Sequence, residues 1–256
     1  MFQYTGISQA FFISTHTIYK INIRKDIIIM SGKYHESNQS ISCSVCKQCG
    51  GCQYVDISYE KELKKKSAYL KQLFEGIYIC GEVHGMYRPV FYRNKVHAVV
   101  GLDKKKGIVT GTYAEGTHRL IPVDDCMIED QKADSIIATL RTLFASFKYA
   151  PYNEDTHRGF MRHILIRRGF STKEIMVVLV TADNKFPSKN NFIKALLEQH
   201  PDITTIIQNI NDLSTSMILG KANKVLYGKG YIEDVLCGCR FRISPESFYQ
   251  INPSQT

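Results

Sequence analysis

Val90-Phe-Tyr-Arg-Asn-Lys-Val-His-Ala-Val-Val-Gly-Leu102, Asp103-Lys-Lys-Lys-Gly107 and Ile108-Val-Thr-Gly-Thr-Tyr113 follow one another without a break. The outer segments are rich in β-branched and aromatic residues, and the middle one has the polar, glycine-ended composition of a turn. Together they are expected to form an antiparallel hairpin with a basic tip. Towards the C-terminus, residues 117–123 read as a further short strand that ends at Asp124-Asp125-Cys126. A helix follows, with Ala133, Ile136, Ile137, Leu140, Leu143, Phe144 and Phe147 recurring on one side. Strands 163–168 and 174–181 are joined by Gly169-Phe170-Ser171-Thr172, and a helix runs from a cap at Ser188 to Gln199, stopped by Pro201. Strands at 204–209, 216–219, 224–227 and 239–243 complete this half. Towards the N-terminus, Ser58 is placed to cap an amphipathic helix of about five turns. Tyr59, Leu63, Leu70, Leu73, Phe74 and Ile77 share its apolar side. Lys61, Lys64, Lys65, Lys66 and Lys71 form a lysine face suited to tracking phosphates. Hairpins mixed with helices predict an α+β fold with a mixed, largely antiparallel sheet and flanking helices.

Between residue 40 and that lysine-rich helix lies Cys43-Ser-Val-Cys46-Lys-Gln-Cys49-Gly-Gly-Cys52. Four thiols spaced by two residues suit a tight loop that aims several sulfurs at one centre, and Gly50-Gly51 supplies the backbone freedom such a loop needs. Thiolates are soft ligands that select zinc, copper(I) or iron–sulfur clusters. Four local thiols could make a zinc site, although structural zinc usually takes two separated cysteine pairs. A compact run is closer to cluster ligation, in which three local cysteines act with a fourth from elsewhere. Cys126 at a strand end and Cys80 after the basic helix are the candidates for that fourth position. Cys237 and Cys239, which flank Gly238 in an apolar strand region, are expected in the core.

The composition, 44% apolar and 22% charged, is that of a folded protein rather than a disordered one. No apolar run approaches the ~20 residues of a membrane helix. Eight cysteines, half of them in one short run, indicate metal ligation in a reducing compartment, hence the cytoplasm, rather than a disulfide framework. A net charge of +9, spread along the chain, favours a polyanionic partner, with nucleic acid the first expectation. Residues 1–40 read as a poorly ordered N-terminal extension, and Met30 before Ser31-Gly32-Lys33 is a plausible alternative start.

Cys49-Gly50-Gly51-Cys52-Gln53, followed by a lysine-rich helix, resembles the uracil-C5 RNA methyltransferases that carry an iron–sulfur cluster. Tyr92-Arg93-Asn94-Lys95, residues 111–118, residues 122–126, Arg162-His163 and Gln208-Asn209 match in the same order. So does Ser244-Pro245-Glu246-Ser247-Phe248-Tyr249-Gln250-Ile251-Asn252-Pro253. The resemblance covers residues 43–256 and is strongest to the 23S ribosomal RNA (uracil-1939-C5) type. It implies a 4Fe-4S cluster held by Cys43, Cys49, Cys52 and Cys126, with Cys46 an additional thiol that the family pattern lacks. It further implies S-adenosyl-L-methionine as methyl donor, bound in a C-terminal Rossmann-like domain. In that family a cysteine adds to C6 of an extruded uracil, which makes C5 nucleophilic towards the methyl group.

By the same resemblance, residues 41–243 form a central RNA-binding and iron–sulfur domain, and residues 244–256 open the methyltransferase domain. Gln250 matches a cofactor-binding position. No cysteine stands in the context of the family's catalytic one, so the sequence is expected to be the RNA-binding, cluster-bearing portion of a methyltransferase. It is expected to stop short of the catalytic domain and to be inactive alone. Arg93, Lys95, Arg162, His163 and Arg167 are the candidate RNA-binding residues, because Arg93 and Lys95 alternate on one strand and His163 and Arg167 on another. The expected partner is ribosomal RNA, with no membrane and a monomeric state. The alternative is a stand-alone RNA-binding module with an iron–sulfur or zinc site and no catalysis.

Overall fold

The computed structural model describes residues 43–215 and 217–256, together with the backbone of residues 9–14 and 17–22. It divides into two compact units, residues 1–37 and 38–256. In the first, β1 (Gln9–Ser14) pairs antiparallel with β2 (Thr17–Asn22), Gln9 opposite Asn22. The expectation of a poorly ordered extension over residues 1–40 otherwise falls outside the described residues.

The second unit begins with α1 (Cys46–Cys49) and α2 (Tyr59–Leu73). The expected hairpin is β3 (Lys95–Asp103) and β4 (Gly107–Tyr113), followed by β5 (Leu120–Pro122) and α3 (Gln131–Ser146). Next come β6 (Met161–Arg168), β7 (Ile175–Thr181), α4 (Lys189–Gln199), β8 (Ile203–Ile210) and β9 (Ala222–Gly228). A second hairpin, β10 (Ile232–Leu236) and β11 (Cys239–Ile243), ends the regular structure. Seven strands form one sheet in the order β5-β4-β3-β6-β7-β8-β9. Every neighbouring pair is antiparallel except β7 and β8, which run parallel because α4 carries the chain back between them. The fold is therefore α+β with a largely antiparallel sheet, as the sequence pattern predicts.

Alternation along the strands sends Val96, Ala98, Val100, Ile164, Ile166, Val177 and Leu179 to one face. There they meet Ile136, Leu140 and Phe144 of α3 and Phe192 and Leu196 of α4. Phe144 stacks on Phe192 at 5.9 Å, and Tyr149 meets Phe160 edge-on at 5.3 Å. The opposite face carries Leu165, Met176, Val178 and Ile207, covered by Ile232 and Ile243 of the second hairpin. The central strands are therefore buried on both sides, and β7, Ile175–Thr181, is buried at every position.

Three local expectations are corrected. Residues 217–219 are not a strand, and Ser216 lies outside the described residues. Asn211 Nδ2 donates to the carbonyls of Met217 (2.7 Å) and Ile218 (3.1 Å), and Asn209 binds both backbone groups of Gly220. Those backbone groups are thus occupied by side chains rather than by a neighbouring strand. Cys237 and Cys239 are exposed, not core, because Cys237 and Gly238 (φ 50° and 78°) make the two-residue turn at the hairpin tip. The apolar side of α2 is also largely open: none of its residues is buried, and Leu73 is 55% exposed. Its cap is as expected, with Ser58 Oγ accepting from the Lys61 amide at 3.4 Å.

Candidate metal and RNA site

Pairing between β3 and β4 starts at Val99 and Gly111, and beyond that point β4 turns away to pair with β5. The β4–β5 approach is so close that a side chain on Gly111 would begin 1.9 Å from the Ile121 carbonyl oxygen. The divergence leaves a cavity of about 440 Å³ beside the N-terminal half of β3. Cys43, Cys46, Cys49, Cys52 and Cys126 all line it.

The cysteine loop is shaped by its own backbone. The Gln48 and Cys49 amides both donate to the Val45 carbonyl at 2.9 Å, closing the single turn of α1. Gly50, with φ 68°, ends that turn in a left-handed conformation that Cβ-bearing residues seldom adopt. Cys46 and Cys49 thus lie one turn apart, with Cys43 before the turn and Cys52 after it. Burial raises the pKa of the Cys52 thiol, and the neighbouring Cys49 and Cys43 raise it further. Cys49 and Cys43 therefore both lie within electrostatic reach of the Cys52 sulfur.

Cys126 arrives from the opposite wall on the turn between β5 and α3. Amide-to-carbonyl bonds from Phe91 to Met127, Arg93 to Ile128 and Asp130 to Arg93 stitch this turn to the strand entering β3. The Cys126 amide donates to Asp134 Oδ2 at 3.3 Å, and burial pushes its thiol up to about 11. Glu129 and Asp134 stand beside it, raised to about 7 and about 6, chiefly by burial. All eight cysteines are free thiols. Among the described residues, no three His, Cys, Asp or Glu side chains converge tightly enough to hold a single metal ion.

The cavity thus gathers Cys43, Cys49, Cys52 and Cys126, the four expected cluster ligands, together with the additional Cys46. Cys80 does not line it; its thiol lies 3.6 Å from the Leu70 carbonyl. Arg93 and Lys95 line the same cavity and are half-buried, so both cations sit beside the thiols. Arg141 adds a third cation, paired with Asp124. Sequence pattern did not reveal Arg141, Glu129, Asp134 or His97. Glu129 and Asp134 look like ordinary polar residues at the entry to α3, Arg141 like a polar position further along it, and His97 like one position in a strand.

The other expected RNA-contacting residues lie elsewhere, inside the fold. Arg162 has a fully buried side chain. It donates to the carbonyls of Asn211 (2.8 Å) and Leu213 (2.7 Å), pairs with Glu154 at 2.9 Å and stacks 4.4 Å from the Tyr152 ring centroid. Arg167, 3% exposed, donates to the carbonyls of Pro245 and Ser247. His163, 6% exposed, lies 5.0 Å from the His97 ring. Burial lowers these two rings to about 3 and about 4 respectively. The 244–256 segment covers Arg167, while Arg162 is enclosed by Glu154, Tyr152 and the 211–213 loop. They act as internal ties. Gln250 is exposed on that segment, which is held by Arg167, by Tyr249 Oη donating to Asp234 (3.2 Å) and by the Asn94 amide donating to the Ile251 carbonyl (3.1 Å).

No protein-family model matches the chain. An uncharacterised RNA methyltransferase of Oceanobacillus iheyensis is 40% identical over 214 residues, which is 81% of this chain and 46% of that protein. One from Clostridium tetani is 41% identical over 218 residues, 84% and 47% respectively. One from Staphylococcus aureus is 34% identical over 226 residues, 86% and 50%. The chain spans about half the length of these relatives. Among solved structures, a tRNA (uracil-54, C5)-methyltransferase of Pyrococcus abyssi in complex with S-adenosyl-L-homocysteine superposes with a TM-score of 0.65. That likeness covers 80% of this chain and 48% of the other at 24% identity, and it shows the shared fold. Over four-fifths of its length, then, this chain is similar to proteins named as RNA methyltransferases, and it has the fold of about half of a tRNA uracil-C5 methyltransferase.

Proposed function

We propose that this chain is the RNA-handling and cluster-bearing portion of an RNA (uracil-C5-)-methyltransferase that uses S-adenosyl-L-methionine and acts on 23S ribosomal RNA. The observation that carries the reading is the convergence of Cys43, Cys49 and Cys52 with Cys126, 74 residues beyond Cys52, on one cavity rimmed by Arg93 and Lys95. Free thiols gathered from two distant places in the chain, without disulfides, fit a shared inorganic centre better than ordinary packing.

A 4Fe-4S cluster takes one thiolate on each iron, so it needs sulfurs spread around a chamber rather than touching one ion. The arrangement of thiols fits that requirement. When bound, the cluster would cross-link the 43–52 loop to the turn at Cys126, a structural tie that asks no electron of methyl transfer. Zinc held by the four local thiols alone, which Cys46 would complete, would need those sulfurs to close on one ion, and among the described residues they do not. Eight free thiols suit a reducing compartment, and we place the protein in the cytoplasm as a monomer. Methyl transfer itself, with Gln250 contacting the donor, is assigned to the whole protein.

The test is methylation of transcripts by the whole protein with labelled methyl donor, followed by mass spectrometry of the digested RNA. 5-Methyluridine in 23S ribosomal RNA supports the reading. Label confined to transfer RNA removes the ribosomal assignment, and label at a base other than uracil removes the uracil-C5 assignment.

A further inference from the structure

Helix α2 carries five lysines, but they are not equivalent. Lys64 pairs with Glu60 at 2.6 Å and Lys66 with Glu62 at 2.5 Å, each one turn apart. Among the described residues Lys61, Lys65 and Lys71 have no carboxylate partner. At 100° per residue, Lys61, Lys65, Tyr69 and Gln72 fall on one stripe opposite the apolar side formed by Leu63, Leu70 and Phe74. All four stripe residues are exposed, and the Tyr69 ring is 64% exposed. Lys61 and Lys65 thus stand about 6 Å apart along the axis, neither held in an ion pair among the described residues, followed one turn later by an open aromatic face.

We infer that this stripe of α2 binds single-stranded RNA, with Lys61 and Lys65 on successive phosphates and Tyr69 stacked under a base. The inference rests on the RNA-methyltransferase reading above and adds the surface that reading lacks, since Arg162, His163 and Arg167 are internal. Lysines that follow the backbone and a ring that accepts any base are the two parts of a sequence-tolerant single-strand site. The overall charge of +9 supplies the long-range attraction. No residue of α2 is buried, so exchanges on it leave the core untouched.

The experiment is titration of a labelled uridine-rich single-stranded RNA with the full chain at several salt concentrations. K61E/K65E is compared with K189E/K194E, which makes the same charge change on α4. K61E/K65E is expected to lose about tenfold or more in affinity and to flatten the salt slope by about 1.4, two single-strand contacts. K189E/K194E should lose less than about threefold, since it shifts only the overall field. Tyr69→Ala should lose about fivefold or more with the slope unchanged, and Tyr69→Phe should bind like the parent. Equal losses from the two charge pairs would overturn the inference. So would unchanged RNA binding in K61E/K65E with protein self-association altered by Leu73→Asp, which would assign the helix to a protein partner. Failure of the parent itself to bind RNA would instead remove the underlying RNA reading.

Discussion

Arg162 shows what a single residue can hide. Its arginine type and strand position are compatible with a phosphate contact, but its guanidinium sits inside the protein between Glu154 and two loop carbonyls. Arg162→Met leaves Glu154 half-buried without its cation and two carbonyls without a donor. Urea unfolding should register a loss of about 3–5 kcal/mol, whereas the salt slope of RNA binding should not change. The His97–His163 pair, with His163 buried and His97 half-buried, gives a pH signature with a definite sign. Both rings are held neutral far below their ordinary pKa, so the unfolded chain binds protons that the folded one refuses. Stability is therefore complete above about pH 6.5 and falls towards pH 4 and 3, by up to about 1.4 kcal/mol per pH unit for each ring. Denaturant midpoints measured at pH 7.5, 5.5 and 4.5 should show that decline. His163→Phe should make it shallower, and an identical decline in the variant would assign the effect to other groups. At the cysteines, Cys126→Ser should empty the centre of iron while Cys237→Ser leaves it loaded, because only the first lines the cavity. Equal iron loss in both variants would remove Cys126 from the ligand set.

Among elements, those with strong periodicity were legible and those defined by side-chain-to-backbone bonds were not. The β3–β4 hairpin, α3 and α4 follow directly from apolar spacing and turn composition. The span 216–219 looked like a strand, since nothing in its residue types announces that Asn211, several residues upstream, takes the carbonyls of Met217 and Ile218. β10 went unrecognised because its inward positions are Ile232 and the buried Asp234, an apolar–acidic alternation that does not read as a strand. Asp234 is buried because it accepts from the amides of Phe170 and Ser171, both at 2.8 Å. For α2 the helix was readable but its exposure was not. With no buried residue, it should exchange its amide hydrogens far faster than β6, β7 and β8. Protection of α2 equal to that of β7 would contradict the described packing. Gly111 is the element-scale weak point next to the cavity. Gly111→Ala must push β5 away from β4, and a loss of several kcal/mol together with lower metal content is expected.

At the scale of the whole molecule, a doubly covered sheet supplies rigidity, and the cysteine-lined cavity lies where that sheet splits between β3 and β4. Spacing singled out the 43–52 run, and the family resemblance picked Cys43, Cys49, Cys52 and Cys126 as the expected ligands. Their convergence depends on the bonds between residues 91–93 and 127–130, which no local pattern announces. The proposed RNA surface was the least legible part, because charge type does not say whether a side chain faces water or a loop carbonyl. The most direct test of the account is an absorption spectrum with iron, sulfide and zinc counts on protein purified without oxygen. The account predicts a brown protein with about four irons and four sulfides per chain, one thiolate to each iron. A colourless protein with stoichiometric zinc, or with no metal at all, would contradict it.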